Sequence, residues 1–134
     1  MSNPSKQKGT KGETAVVNYL LKHDHKAQRR ALTGSNDCGD IEMERKPGGT
    51  GVLSDTGHCI LEVKSGKQTH SYCRGQLNEW LGQTRAEAVN SGLPAYLVIN
   101  RYGKRIEDSE VWSEDGHSFW FLDEFAEGDR VMEL

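Results

Sequence analysis

Glu62-Val63-Lys64 places an acid and a base two residues apart. On a strand, residues i and i+2 point to the same face. The surrounding segment, His58 to Ser65, sets Cys59, Leu61 and Val63 against Ile60, Glu62 and Lys64. It is apolar enough to be a central strand, so the charged pair faces a region poor in water. Charges there need a partner or a metal. A carboxylate beside an ammonium suits phosphodiester hydrolysis. The carboxylate helps hold Mg²⁺, a cation that takes hard oxygen ligands. The lysine orients or activates water and offsets charge growing on the phosphate. Asp40 is the natural second ligand. It opens the strand Asp40–Glu44, where Asp40, Glu42 and Glu44 alternate with Ile41 and Met43. Antiparallel pairing of these two strands would bring the carboxylates together across the ladder. Glu13 is a fourth candidate, through water to the metal or at a second metal site. Glu-x-Lys alone also occurs as a surface salt bridge; its company with Asp40, behind a polar Gly-bearing loop, and with Glu13 favours catalysis.

The elements that must position these residues follow from periodicity. Ala15, Val16, Tyr19 and Leu20 recur at helical spacing, which predicts a first helix over Gly12–His23. Residues 1–11 read as a flexible basic arm, and 26–33 as a short strand. Thr33-Gly34-Ser35-Asn36-Asp37 is a loop. Lys46–Gly57, with one Pro and four Gly, is a long hairpin loop. A second helix is expected over Tyr72–Asn90, with Leu77, Leu81, Thr84 and Ala88 on its apolar stripe. Gly92 is its left-handed cap, and Pro94 opens a buried strand, Ala95–Ile99. Two weaker strands are expected near Glu110–Trp112 and Ser118–Leu122. A helix between strands predicts a crossover into a mixed sheet with helices packed on it.

With 134 residues the chain suits one domain, whose core is lean because apolar residues make up 34% and charged residues 28%. No apolar run approaches the roughly 18 residues of a membrane span. The polar, lysine-bearing start does not read as a signal peptide, so a cytoplasmic protein is expected. Three cysteines, Cys38, Cys59 and Cys73, argue against a disulfide framework and for reduced thiols. Net charge is -3, unevenly spread: seven basic residues against two acidic up to Arg30, and ten acidic against Arg130 alone from Glu107 onward. The basic end can meet phosphates while the acidic end, an extension over 102–134, faces away.

Other residues carry weaker signals. Glu42 shares the face of Asp40 and is either a metal neighbour or simply exposed; exposure is favoured. His58, Cys59, His70 and Cys73 do not form a zinc pattern, because His58 and Cys59 face opposite sides of a strand and no Cys-x₂-Cys pair exists. Gln76 and Gln83 lie on similar faces of the second helix. Trp80, Trp112 and Trp120 read as core or interface residues. Lys67, just past the catalytic strand, is placed to touch phosphate.

Taken together, these segments resemble the PD-(D/E)xK nuclease superfamily, and within it the archaeal-type Holliday junction resolvases. Lys8-Gly9-Thr10-Lys11-Gly12-Glu13 is similar to their opening Lys-Gly-x-x-x-Glu. Arg29 or Arg30, then Ser35, resembles their basic-then-serine loop. Gly39-Asp40-Ile41 stands where they have Pro-Asp-Ile, and Leu61-Glu62-Val63-Lys64-Ser65 matches their Glu-Val-Lys-Ser core. Tyr72-x-x-x-Gln76 and Pro94-Ala-Tyr-Leu-Val resemble the helix and strand that come after that core in the family. The likeness covers residues 8 to about 100; the tail from Tyr102 matches nothing in the family. It implies a restriction-endonuclease-like αβββαβ core, dependence on Mg²⁺ with Mn²⁺ substituting, and a homodimer. It makes Gln76 a site-edge residue. The implied reaction is paired nicking of four-way DNA junctions, with Lys6, Lys8, Lys11, Arg29, Arg30, Ser35 and Lys67 meeting phosphates. Two other readings stay open: a restriction-like, repair or replication-associated nuclease on duplex or flap DNA, and a non-catalytic DNA-binding module on a nuclease fold.

Overall fold

The computed structural model describes the backbone of residues 4–23, 25–29, 41–44, 58–127 and 132–133, and side chains within 11–126 of that set. The chain runs α1 (Pro4–Lys22), β1 (Lys26–Arg29), β2 (Ile41–Glu44), β3 (His58–Lys64), α2 (Arg74–Ser91), β4 (Ala95–Ile99), β5 (Glu110–Ser113), β6 (Ser118–Phe121), α3 (Leu122–Glu127) and β7 (Met132–Glu133). Short 3-10 turns occupy Lys67–Thr69 and Ile106–Asp108. The strands form one seven-stranded sheet in sequence order. β3 and β4 are parallel, joined by the α2 crossover, and every other pair is antiparallel. This is the expected mixed sheet with flanking helices, and its first part is the αβββαβ order.

β3 is the centre. Cys59, Leu61 and Val63 turn to one face, where Val16 and Leu20 of α1 and Leu122, Phe125 and Ala126 of α3 close over them. On the other face Leu77, Trp80 and Leu81 of α2 pack on Leu97 and Ile99. Ile60 is fully buried, so the strand is covered on both sides. A strand buried twice reads as a nearly continuous apolar run, and a charged residue on it is conspicuous. The α2 stripe falls where the spacing put it: Leu77, Leu81 and Thr84 are buried, while Arg74, Asn78, Glu79 and Arg85 are exposed. Gly92 ends α2 with φ 73°, in the left-handed region, its N–H donating to Ala88 O at 2.9 Å.

Three elements differ from expectation. α1 begins at Pro4, so the segment read as an arm is helical from there. Proline at a first helical position is pre-set for the helix and gives up only an N–H that has no partner there. The lack of apolar periodicity before Gly12, together with Gly9, hid this extension. α3 and β7 were not expected. Leu122, Phe125 and Ala126 have i, i+3, i+4 spacing, but over six residues that period is too short to separate from the end of a strand. Val111, Trp120, Leu122, Phe125 and Ala126 of the acidic extension thus belong to the main core.

Gly12 sets the fit of α1 on the sheet. A Cβ built there would lie 2.4 Å from Ser65 Oγ and 2.7 Å from Ser65 Cβ. Rotating the hydroxyl relieves the first contact; the second moves only with the backbone. Gly12→Ala gains about 1 kcal/mol of helix propensity and loses more to overpacking, about 1–3 kcal/mol. We expect a lower urea midpoint. Gly82 in α2 is the control: its Cβ would meet only Arg85 Nη2 at 3.7 Å. Gly82→Ala is expected to raise the midpoint, by about 0.5–1 kcal/mol. Equal signs for the two variants would show that α1 does not depend on this close approach.

Candidate active site

Glu62 sits near the end of β3 and is 5% exposed. Its Oε1 lies 3.0 Å from Lys64 Nζ. Lys64 in turn donates to Gln83 Oε1 of α2 at 2.7 Å. The other carboxylate oxygen, Glu62 Oε2, is buried with no hydrogen-bond partner among the described residues. A buried acceptor left unpaired costs about 1–3 kcal/mol, and more when charged. That orphaned oxygen, beside an ammonium, has the chemistry of a hard-cation ligand.

Asp40 lies outside the described residues, as do Arg30 and Ser35. Asp40 directly precedes Ile41, whose register partner is Leu61, the residue before Glu62. Among the described residues no trio of His, Cys, Asp and Glu is grouped to hold a metal. Glu13 on α1 accepts a hydrogen bond from Arg29 Nε at 2.8 Å. Arg29 is opposite Ile41 in the β1–β2 register. The structure thus makes two charged pairs, Glu62–Lys64 and Glu13–Arg29, and joins them through no ion pair among the described residues. They are linked sterically, because Gly12, next to Glu13, lies against Ser65, next to Lys64.

Of the other sequence candidates, Lys11 and Lys67 are exposed. Lys6 and Lys8 fall within α1, with side chains outside the described set. Gln76 is half-buried and its amide donates along its own helix to Glu79 at 3.4 Å, so Gln83 is the α2 glutamine that reaches Lys64. Glu42 pairs with His58 at 2.5 Å, at the opposite end of β3 from Lys64. Cys59 is buried, which pushes its thiol up to about 12, and Cys73 is exposed at the start of α2.

Sequence reasoning missed Glu110. It is buried on β5 and accepts from the Tyr72 hydroxyl, from Arg101 Nη1 at 3.1 Å and from Trp112 Nε1 at 3.3 Å. Arg101 also donates to His70 O at 2.8 Å and stacks over the Tyr72 ring at 5.3 Å. The fully buried Thr69 donates its hydroxyl to Gly66 O, 2.7 Å away, and accepts from Tyr102 N at 2.9 Å. Together these bonds tie the turn after β3 to the turn after β4. The only sequence signal for Glu110 was an acid heading an apolar strand.

No family model matches the chain, and no curated protein matches it. Among solved structures, it is similar to Hjc of Archaeoglobus fulgidus, a Holliday junction resolvase from an archaeal hyperthermophile. The TM-score is 0.52 at 23% identity, over 80% of this chain and 78% of that one.

Two tyrosines provide a test of packing around the site. Burial, then the hydrogen bond to Glu110 and that carboxylate's charge, raises Tyr72 well above the ordinary 10.0. Burial pushes Tyr96 up to about 12. The folded chain holds both phenols neutral after the unfolded chain has begun to ionise them. Their stabilising effect is complete below about pH 10 and is lost as pH rises through the folded values. The urea midpoint should fall steadily as pH is raised past about 10, and less steeply for Tyr72→Phe. A variant that tracks wild type in slope would mean that Tyr72 is not held as described. The mixed sheet, its central strand and its flanking helices give this chain the fold of that archaeal resolvase.

Proposed function

We propose that the chain is a Mg²⁺-dependent DNA endonuclease that resolves four-way junctions by paired nicks. One observation carries the catalytic part: a buried carboxylate, Glu62, shares one oxygen with Lys64 and has the other free of hydrogen-bond partners among the described residues. Asp40 and Glu62 would hold the ion, with Glu13 through water, and Mn²⁺ would substitute. When bound, the ion polarises the phosphate and makes water more acidic. Lys64, held between Glu62 and Gln83, keeps its ammonium in a fixed place to orient the attacking water and to offset charge on the phosphate. Both anchors are side chains on packed elements, so little reorganisation is needed when the substrate arrives. Lys6, Lys8, Lys11, Arg29, Arg30, Ser35 and Lys67 meet phosphates, and binding weakens with salt. Gln76 stands at the site edge.

The choice of a four-way junction rests on the motif resemblance and the shared fold. A junction has two-fold symmetry, and so does a homodimer with two identical sites. No helix is long and apolar enough to cross a membrane among the described residues.

A panel of labelled four-way junction, flap, nicked and linear DNA, with and without Mg²⁺, tests both parts. Chelation should abolish cleavage. Asp40→Asn, Glu62→Gln and Lys64→Ala should each lower the cleavage rate by at least about a hundredfold. Glu62→Gln cutting as well as wild type would end the catalytic assignment. Equal cutting of all four substrates would keep the nuclease and remove the resolvase.

A further inference from the structure

Beside Lys64 there is a second feature, of which the nuclease reading uses only Lys11. The parallel strands β3 and β4 end side by side, with Asn100 N donating to Lys64 O at 2.9 Å. Beyond their carboxyl ends the chain opens a cleft of about 300 Å³, lined by Lys11, Ser65, Gly66, Arg101, Tyr102 and Lys104 among others. Clefts outside the carboxyl ends of parallel strands are common ligand sites in α/β sheets. This one has three cations in its lining and no carboxylate. Arg101 is committed to Glu110 and His70 O. Lys11 and Lys104 have no ion-pair partner among the described residues, although Arg105, next to Lys104, takes two carboxylates, Glu107 and Asp108. Gly66 and Gly103 have φ of 85° and 82°, and a Cβ at either would meet nothing within 4 Å. Backbone there is open to close approach by a ligand. Tyr102 stands in the wall, 49% exposed, its ring edge-on to His70 with centroids 6.4 Å apart. Its backbone is pinned by Thr69.

We propose that this cleft binds an unpaired nucleotide of DNA, its phosphates against Lys11 and Lys104 and its base stacked on Tyr102. The inference rests on the nuclease reading and deepens it: the substrate presents a single-stranded or splayed nucleotide next to the scissile phosphate. Cations along a groove with an aromatic in its wall are the two components of single-strand recognition. Tyr102 is suited to this because its backbone is fixed while its ring stays half exposed. The surface salt bridges of Arg105 leave Lys104 as the charge of that turn with no ion pair among the described residues.

Fluorescence anisotropy with a short labelled oligothymidylate and a blunt duplex, in chelator, measures the site without cleavage. Wild type should bind the oligothymidylate, with affinity falling as salt rises. Lys11→Ala with Lys104→Ala should weaken it about tenfold or more and flatten the salt slope by about 0.7 per lysine. Tyr102→Ala should weaken it about fivefold to a hundredfold, while Tyr102→Phe keeps most of the affinity. These side chains are exposed, so urea midpoints should match wild type. Wild-type affinity and salt slope in the double lysine variant would overturn the phosphate part. Equal loss in Tyr102→Phe and Tyr102→Ala would overturn stacking. If wild type cuts the branched substrate yet none of these variants changes binding, the cleft is wrong and Lys11 leaves the phosphate contacts, while the catalytic assignment stands. If wild type neither binds nor cuts any DNA, both fail.

Discussion

The arrangement depends on a carboxylate being held on a strand that is buried from both sides. Glu62 sits in β3 between Val63, packed under α1, and Leu61, packed under the same core. An isolated ionised carboxylate is not tolerated in such a place. Lys64 answers one oxygen, and Gln83 in turn answers Lys64. The other oxygen has no answer among the described residues. Ion pairs in the interior do not as a rule stabilise a fold relative to apolar packing. The burial of this pair at the centre of a lean core is therefore not accounted for by stability alone. The flanking elements then have a clear task. They keep one charged pair fixed, with one buried oxygen unpaired among the described residues.

Two devices keep the surroundings of that pair from drifting. On one side α1 comes so close that Gly12 touches Ser65 with no room for a methyl group. This brings the helix bearing Glu13 within one residue of the strand bearing Lys64. On the other side Glu110 gathers Tyr72, Arg101 and Trp112, and Thr69 ties its own turn to Asn100 and Tyr102. Removing one partner from such a buried polar network strands the others. Networks of this kind fix a single loop conformation beside the Glu62–Lys64 pair.

The central strand, the crossover and the α2 cap were legible in the sequence because each rests on local information. Alternation marks β3, a 3.6-residue stripe marks α2, and Gly92 ends it. The pairing of Glu62 with Lys64 followed from i, i+2 geometry alone. Contacts between distant segments were not legible. Gln83 and Gln76 differ by seven residues and share a face, so spacing could not say which one meets Lys64. Gly12 is one more glycine of a motif until the fold sets Ser65 against it. Glu110 is one acid among ten in an acidic tail. In each case the deciding fact is a tertiary neighbour at least 19 residues away, for which periodicity has no reading.

The acidic tail shows that a count of carboxylates is not by itself a field. From Glu107 onward the charges suggested an end that faces away from phosphates. Most of those described are instead spent on local bonds. Glu107 and Asp108 take Arg105. Glu110 holds the buried network. Glu114 accepts from Ala95 N at 3.1 Å, anchoring the start of β4. Asp115 accepts from Ser113 and from His117 N in the β5–β6 turn, which holds its carboxyl below the usual range. Glu124 accepts from Phe121 N at 3.1 Å where α3 begins. A carboxylate already engaged by backbone N–H or a guanidinium projects less charge than a free one, and exposed charges beyond about 10 Å are screened by salt in any case. Net charge therefore says little about which surface meets a polyanion. What matters is where cations are left without an ion pair; among the described residues lining the cleft beyond β3 and β4, those are Lys11 and Lys104.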